Sequence, residues 1–176
     1  ATTTAGCLGA HALPGPLLGA MSSARKNLSN RWRIQWTDRT TFKIDHEGES
    51  LTDPSVLKDF GSWLDTQLEE RFGQGQALPR VTASMLNFSR CNLGDEAVQD
   101  LVDYLYSRDV AVQTLKLFRN SIADNGAWAL GQFLAHSPEP VHEVHVSHNA
   151  MSERGVCSLL ETIARSGQSP SSAVVG

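Results

Sequence analysis

The chain is poor in cysteine, and its three (Cys7, Cys91 and Cys157) lie far apart in 176 residues. An odd, scattered set excludes a disulfide framework and any CxxC metal knuckle. Long apolar runs are also missing; nothing approaches the roughly 18 consecutive apolar residues that a membrane-spanning helix needs. There is no excess of positive charge either. A net charge of −4 speaks against a general nucleic-acid binder, whose affinity rests on neutralising phosphates. No P-loop, GxGxxG, HExxH or Ser-His-Asp order is present. What remains is 40% apolar and 19% charged residues in a length that suits one domain with loose ends. Wholesale disorder and collagen-like or coiled-coil rods do not have that composition.

Acids are absent from one end. Residues 1–31 contain no Asp or Glu, but hold Arg25, Lys26 and Arg31. The first residue is Ala1 rather than Met, which reads as a fragment or a processed form. The opening stretch is rich in Ala, Gly, Ser and Thr, and Pro14 and Pro16 break any helix there. We therefore expect a disordered leader over 1–29. Its lack of acid would also suit the remnant of an organelle-targeting segment, although no Arg-rich amphipathic helix is visible. At the other end, 165–176 is rich in Ser and Gly and reads as a flexible tail.

Between these ends the chain repeats itself. Three gapless blocks of 29 residues begin at Ala83, Val112 and Val141, and their columns agree in chemistry. Leu86, Leu115 and Val144 share one column, and Phe88, Leu117 and Val146 the next. Cys91, Asn120 and Asn149 follow, then Leu93, Ile122 and Met151. Further along come Ala97, Gly126 and Gly155; Leu101, Leu130 and Leu159; and Leu105, Leu134 and Ile163. Five columns are apolar in all three blocks, fifteen hits that a fixed register would give by chance about once in a million at this composition. A roughly thousandfold allowance for choosing the register still leaves a strong signal. Each block begins with period-two alternation and continues at spacing four, so each reads as a strand, a turn and a helix. Such a unit has one apolar flank and buries it only by stacking on a neighbour. Asn in the turn column supplies an amide that both donates and accepts where backbone groups lack ladder partners. Cys91 fits the same slot as a small, weakly donating side chain. Asp95, Asp124 and Glu153 fall where helices begin, and offset the helix dipoles.

The pattern LxxLxLxxN/CxL followed by a helix resembles the leucine-rich repeat, specifically its ribonuclease-inhibitor-like subtype. Leu86, Phe88, Cys91 and Leu93, then Leu115, Leu117, Asn120 and Ile122, carry the likeness best, and Val144, Val146, Asn149 and Met151 follow it conservatively. The likeness covers residues 83–169, about half the chain. It implies a short right-handed α/β solenoid with parallel strands on a concave face and helices outside. It also implies macromolecule binding on that concave face. The family includes regulators of small GTPases and sensing halves of receptors.

Residues 30–80 do not fit this register. Trp32, Ile34 and Trp36 alternate with Arg31, Arg33 and Gln35, and Phe42 and Ile44 resume the alternation after Thr37-Asp38-Arg39-Thr40, so a hairpin is expected. Asp53-Pro54 reads as an N-cap and first helical residue; the stripe Val56, Phe60, Trp63, Leu64, Leu68, Phe72 then predicts a helix ending at Gly73. We read 30–80 as a tryptophan-rich hairpin-and-helix cap on the repeats at 81–164, with regularly spaced aromatics in its core. The competing reading is a base- or peptide-stacking site built on Trp32 and Trp36 between arginines.

For function, alternation directs Met85, Asn87 and Ser89, then Thr114, Lys116 and Phe118, then Glu143, His145 and Ser147 to the open face, with His142 on the opposite one. Arg90, Arg119 and His148 follow at the turns and line up. Phe118 beside two arginines has the character of an interface anchor. Histidines at 142, 145 and 148 are spaced for a metal on a helix rather than a strand, so no metal or cofactor is expected. The candidate partner-binding residues are Met85, Asn87, Arg90, Thr114, Lys116, Phe118, Arg119, Glu143, His145 and His148. The expected role is a non-enzymatic, cytoplasmic scaffold that binds a protein partner or further repeats, with no membrane or nucleic-acid target. The alternatives are a regulator of a small GTPase, to which Arg90 or Arg119 would lend charge, and a single-stranded RNA accessory protein.

Overall fold

Alternation of apolar and polar residues along Arg31–Ile44 produces two short strands, β1 (Ile34–Trp36) and β2 (Thr41–Asp45), paired antiparallel with Ile34 opposite Ile44 and Trp36 opposite Phe42. The computed structural model describes residues 31–53, 56–75, 77–137, 139–167, 170 and 172–174. The leader expected over 1–29, and Pro54, lie outside them. Asp38 shapes the β1–β2 turn: its Oδ1 accepts from the backbone N–H groups of Thr40 (2.9 Å) and Thr41 (2.7 Å). Helix α1 (Val56–Phe72) carries the expected stripe and ends at Gly73, whose φ of 99° is left-handed territory that a side chain would strain.

From there strands and helices alternate. β3 (Thr82–Asn87) leads to α2 (Asp95–Ser107), and β4 (Ala111–Val112) with β5 (Thr114–Lys116) leads to α3 (Asp124–His136). β6 (Glu143–His145) leads to α4 (Glu153–Ser166), and β7 (Ser172–Val174) follows. All join one open sheet in the order β1-β2-β3-β5-β6-β7, with β4 beside β3, and every pairing except β1–β2 is parallel. The molecule is thus α/β with a mostly parallel sheet. Leu86 pairs with Leu115, Leu115 with Val144 and Val144 with Ala173, so neighbours across the sheet sit 29 positions apart. β2 joins β3 in parallel but off that step, with Ile44 opposite Leu86 and a register shift at Phe42/Lys43.

Two boundaries differ from expectation. Ser172–Val174, expected to be tail, form β7, because β6 presents an unpaired edge that these backbone groups satisfy. Helix α4 runs to Ser166 and closes at Gly167, with φ of 72°.

The apolar face of the sheet and the inner stripes of the helices make one core. Leu86, Leu115 and Phe88 are fully buried, and Val144 nearly so. The first layer is stitched to the second by aromatics: Phe60 of α1 meets Phe88 edge-on at 5.4 Å, and Trp32 lies 5.0 Å from Phe60 and 6.0 Å from Phe88. Trp32 is 2% exposed, which leaves no ring face for a base; Trp36 is half-buried among Phe42, Phe72 and the Arg71 guanidinium. On the outer side of these layers, Tyr104 donates to Asp65 Oδ1 (2.9 Å) and Arg108 to Asp65 Oδ2 (2.5 Å), clasping α2 to α1.

The turns from strand to helix are held by side chains. Asn120 Oδ1 accepts from the backbone N–H groups of Cys91 and Leu93 (both 3.0 Å), while its Nδ2 donates to the carbonyls of Phe88 (2.8 Å) and Leu117 (3.0 Å). Asn149 repeats this one layer on, accepting from Ile122 N–H (3.1 Å) and donating to Leu117 (2.9 Å) and Val146 (2.7 Å). Cys91 fills the slot with its Sγ 3.0 Å from the His46 carbonyl, and burial pushes its thiol up to about 11. The first acids of α2 and α3 brace the next layer: Asp95 accepts from Ala123 N–H (2.7 Å), and Asp124 from Ser152 N–H (2.8 Å) and Oγ (2.7 Å). Gly126 and Gly155 leave room for those carboxylates, since a Cβ at either would collide with Asp95 or Asp124.

His46 is the one buried histidine of the described residues, wedged against Trp32 with ring centroids 4.4 Å apart. Burial holds its pKa below the ordinary 6.5, with Arg31 adding to the effect and Glu49 and Asp45 opposing it. Because the folded value is the lower one, this group leaves stability untouched above 6.5. As the pH drops below that, the unfolded chain takes up a proton the fold resists, and stability falls until folded His46 titrates. Urea titrations between pH 7.5 and 5.5 will show this decline in the wild type and a flatter profile in His46→Gln; identical slopes in the two proteins would contradict the assignment.

Candidate partner-binding face

The helices cover one side of the sheet, and alternation leaves the other side open. Met85, Thr114, Lys116, Glu143 and His145 are all half-exposed there, while the residues between them are buried. The register aligns them in rows: Thr114 lies opposite Glu143, and Asp45, Asn87, Lys116 and His145 run across four strands. Parallel neighbours about 4.8 Å apart make each row a continuous strip of side chains.

One member is not available. Asn87, expected to meet a partner, is 5% exposed. Its Nδ2 donates to Asp45 Oδ1 (2.9 Å) and Glu47 Oε2 (3.3 Å), and its Oδ1 accepts from Ser89 N–H (3.1 Å). Asn87 is a brace, and Ser89 beside it is also buried. The reason is β2: once that strand joins β3, its acids close over the start of the row. Lys43, Asp45 and Glu47 thereby extend the face, a contribution missed when 30–80 was set apart from the repeats. Their alternation with Phe42, Ile44 and His46 was the available signal.

At the far end, His145 Nε2 lies 2.7 Å from Glu143 Oε1. That bond, aided by nearby Lys116, holds the Glu143 carboxyl below its usual range. His142 is exposed rather than turned inward, because it precedes β6 and its N–H binds the Gln113 carbonyl (2.9 Å). Among the described residues no group of three or more His, Cys, Asp or Glu side chains is placed to hold a metal ion.

Beyond the strand ends lies the most distinctive feature. Phe118 is half-buried with the Arg90 guanidinium carbon 5.7 Å and that of Arg119 5.2 Å from its ring centroid, while His148 meets it edge-on at 5.3 Å. Arg90 also pairs with Glu47 at 3.7 Å. Arg90, Arg119 and His148 have φ of 60°, 53° and 57°, all left-handed. The turn geometry comes from the layers themselves, since Arg90 N–H donates to the Phe118 carbonyl (2.8 Å) and Arg119 N–H to that of Ser147 (3.0 Å). Elsewhere among the described residues the left-handed positions hold Asn92, Asp109 or glycine, residues that adopt this conformation cheaply. Placing Arg at two of these turns forgoes about 1 kcal/mol apiece, whereas His148 adopts the region more readily. The sequence pattern showed their alignment but not their backbone.

No protein-family model matches the chain, and no curated protein matches it. No helix among the described residues is long and apolar enough to cross a membrane.

The left-handed turn makes a clear stability test. Arg119→Gly relieves backbone strain and gives up a solvent-exposed cation–ring contact, so we expect a gain of ~0.5–1 kcal/mol in urea unfolding. A loss of more than about 1 kcal/mol would mean that the guanidinium holds the turn.

Proposed function

We propose that the chain is a leucine-rich-repeat solenoid of the ribonuclease-inhibitor-like kind, and that it works as a non-enzymatic module binding a protein partner through its open, concave face. The first layer, from Trp32 to Phe72, serves as its cap. The 29-residue step and the Asn-braced turns support the solenoid reading. The observation that carries the binding reading is the ridge of Arg90, Phe118, Arg119 and His148. A fold that needed only stability would place Asn or Gly at those turns. Long cationic side chains around an aromatic ring are instead what protein contacts favour, since Arg and aromatic residues dominate interface energetics. Lys116, Glu143 and His145 supply a mixed polar border suited to specificity.

A further layer is a second partner for a different surface. Val98 and Val102 on α2, and Ala127 and Gly131 on α3, are buried. Their counterparts on α4 are half-buried Val156 and exposed Leu160 (47%). With β7 in register beside β6, this flank is shaped for another strand–helix unit.

A photocrosslinking amino acid placed at 118, and separately at exposed 154 on α4, tests the main reading in extracts of the source cell. Position 118 is expected to yield one discrete protein adduct that Arg119→Glu abolishes, and position 154 none of that size. The same adducts from both positions, or adducts insensitive to Arg119→Glu, would sink it.

A further inference from the structure

The helical side carries two large aromatics that packing does not require. Trp128 on α3 is 53% exposed and Tyr106 at the end of α2 is 60% exposed. The slot of Trp128 is filled by Gln99 one layer earlier and by Cys157 one layer later. The slot of Tyr106 is filled by Ala135 and Ala164. Sister layers therefore stack with small or polar side chains where this pair of helices has a Trp and a Tyr. The two line a groove of about 330 Å³ between α2 and α3, with buried Val102 and Phe133 among its walls and Asp103 on its rim.

Charge decides what fits there. Across α2 and α3 there are five acids (Asp95, Glu96, Asp100, Asp103 and Asp124) and no Lys or Arg. Asp95 and Asp124 are committed to bracing the next layer, and Asp100 lies 3.9 Å from Lys58. Asp103 accepts from Gln99 Nε2 (2.8 Å) and forms no ion pair with a described residue. The lining holds no Lys or Arg, and His136 is its one basic side chain. An acidic partner would meet repulsion that no Lys or Arg of the lining offsets, and a purely apolar one would leave Asp103 desolvated without compensation. A cationic side chain gains twice, from the carboxylate and from the electron-rich faces of Trp128 and Tyr106.

We propose that this groove is a second docking site, independent of the open sheet face, for an extended segment of a partner protein that alternates apolar residues with Arg or Lys. The cation lies between Tyr106 and Trp128 and faces Asp103; its apolar neighbours lie against the exposed remainder of the two rings.

The test uses the full chain and reads the indole N–H signal of Trp128 by NMR, assigned from Trp128→Gln, which installs the residue α2 already carries in that slot. The probes are acetyl-Leu-Arg-Leu-Arg-Leu-amide and its Glu and Gln counterparts. The Arg peptide is expected to shift the signal at concentrations ~10-fold below those the Glu peptide needs, with the Gln peptide between. Asp103→Asn should weaken the Arg peptide ~5-fold, and Phe118→Ala should leave it unchanged. Equal response to the three peptides, indifference to Asp103→Asn, or loss with Phe118→Ala would each overturn the proposal. So would a Trp128 signal that moves with protein concentration alone, which would put a second copy in the groove.

Discussion

The fold depends on what becomes of the backbone where each strand bends towards its helix. There the N–H and C=O groups leave the sheet ladder, turn inward and lose access to water. Each such group left unmet costs about 1–3 kcal/mol. Asn120 meets four of them with one side chain, joining the layer of Cys91 and Leu93 to its own. No apolar residue could fill that slot without orphaning the same groups. The amide also ties residues 29 positions apart, so it fixes the step of the structure as well as satisfying a turn.

Other features follow from that step. Once layers are held at a constant offset, Leu86, Leu115 and Val144 stack as a row on the helix side, and their neighbours stack as rows on the open side. Acid at each helix start can then reach the next N-cap, provided glycine leaves space, as at 126 and 155. The same stacking brings the three left-handed turns into line and gathers two guanidinium groups and an imidazole around Phe118. Stability is thus concentrated in the helix-side core and the turn amides, leaving the side chains of the open sheet face and the outer helix surfaces unconstrained by the core.

Much of this could be read from residue types. The change from period two to period four marked the strand and helix of each 29-residue block, and the stripe from Val56 to Phe72 with Gly73 located α1 closely. What the pattern could not supply was long-range pairing without a repeated spacing. β2 joins β3 at an offset that matches no later one, so the closing of Asp45 and Glu47 over Asn87 was invisible to alternation alone. β7 was hidden for a related reason: the Ser-rich flanks of Ser172, Ala173 and Val174 resemble a tail until the bare edge of β6 is considered. Tyr106 and Trp128 each look like one more apolar residue in a helix, and only the burial of their neighbours shows that they point to solvent.

Hydrogen exchange at the backbone amides of Cys91 and Leu93 tests the bracing role of Asn120 most directly. Both lie in a turn outside any strand or helix, where amides ordinarily exchange through local opening at little cost. If Asn120 holds them as described, they will exchange only with global unfolding, at rates matching the core of β3, and Asn120→Ala will release both together. Fast exchange of these two amides in the wild type, while β3 stays protected, would contradict the account.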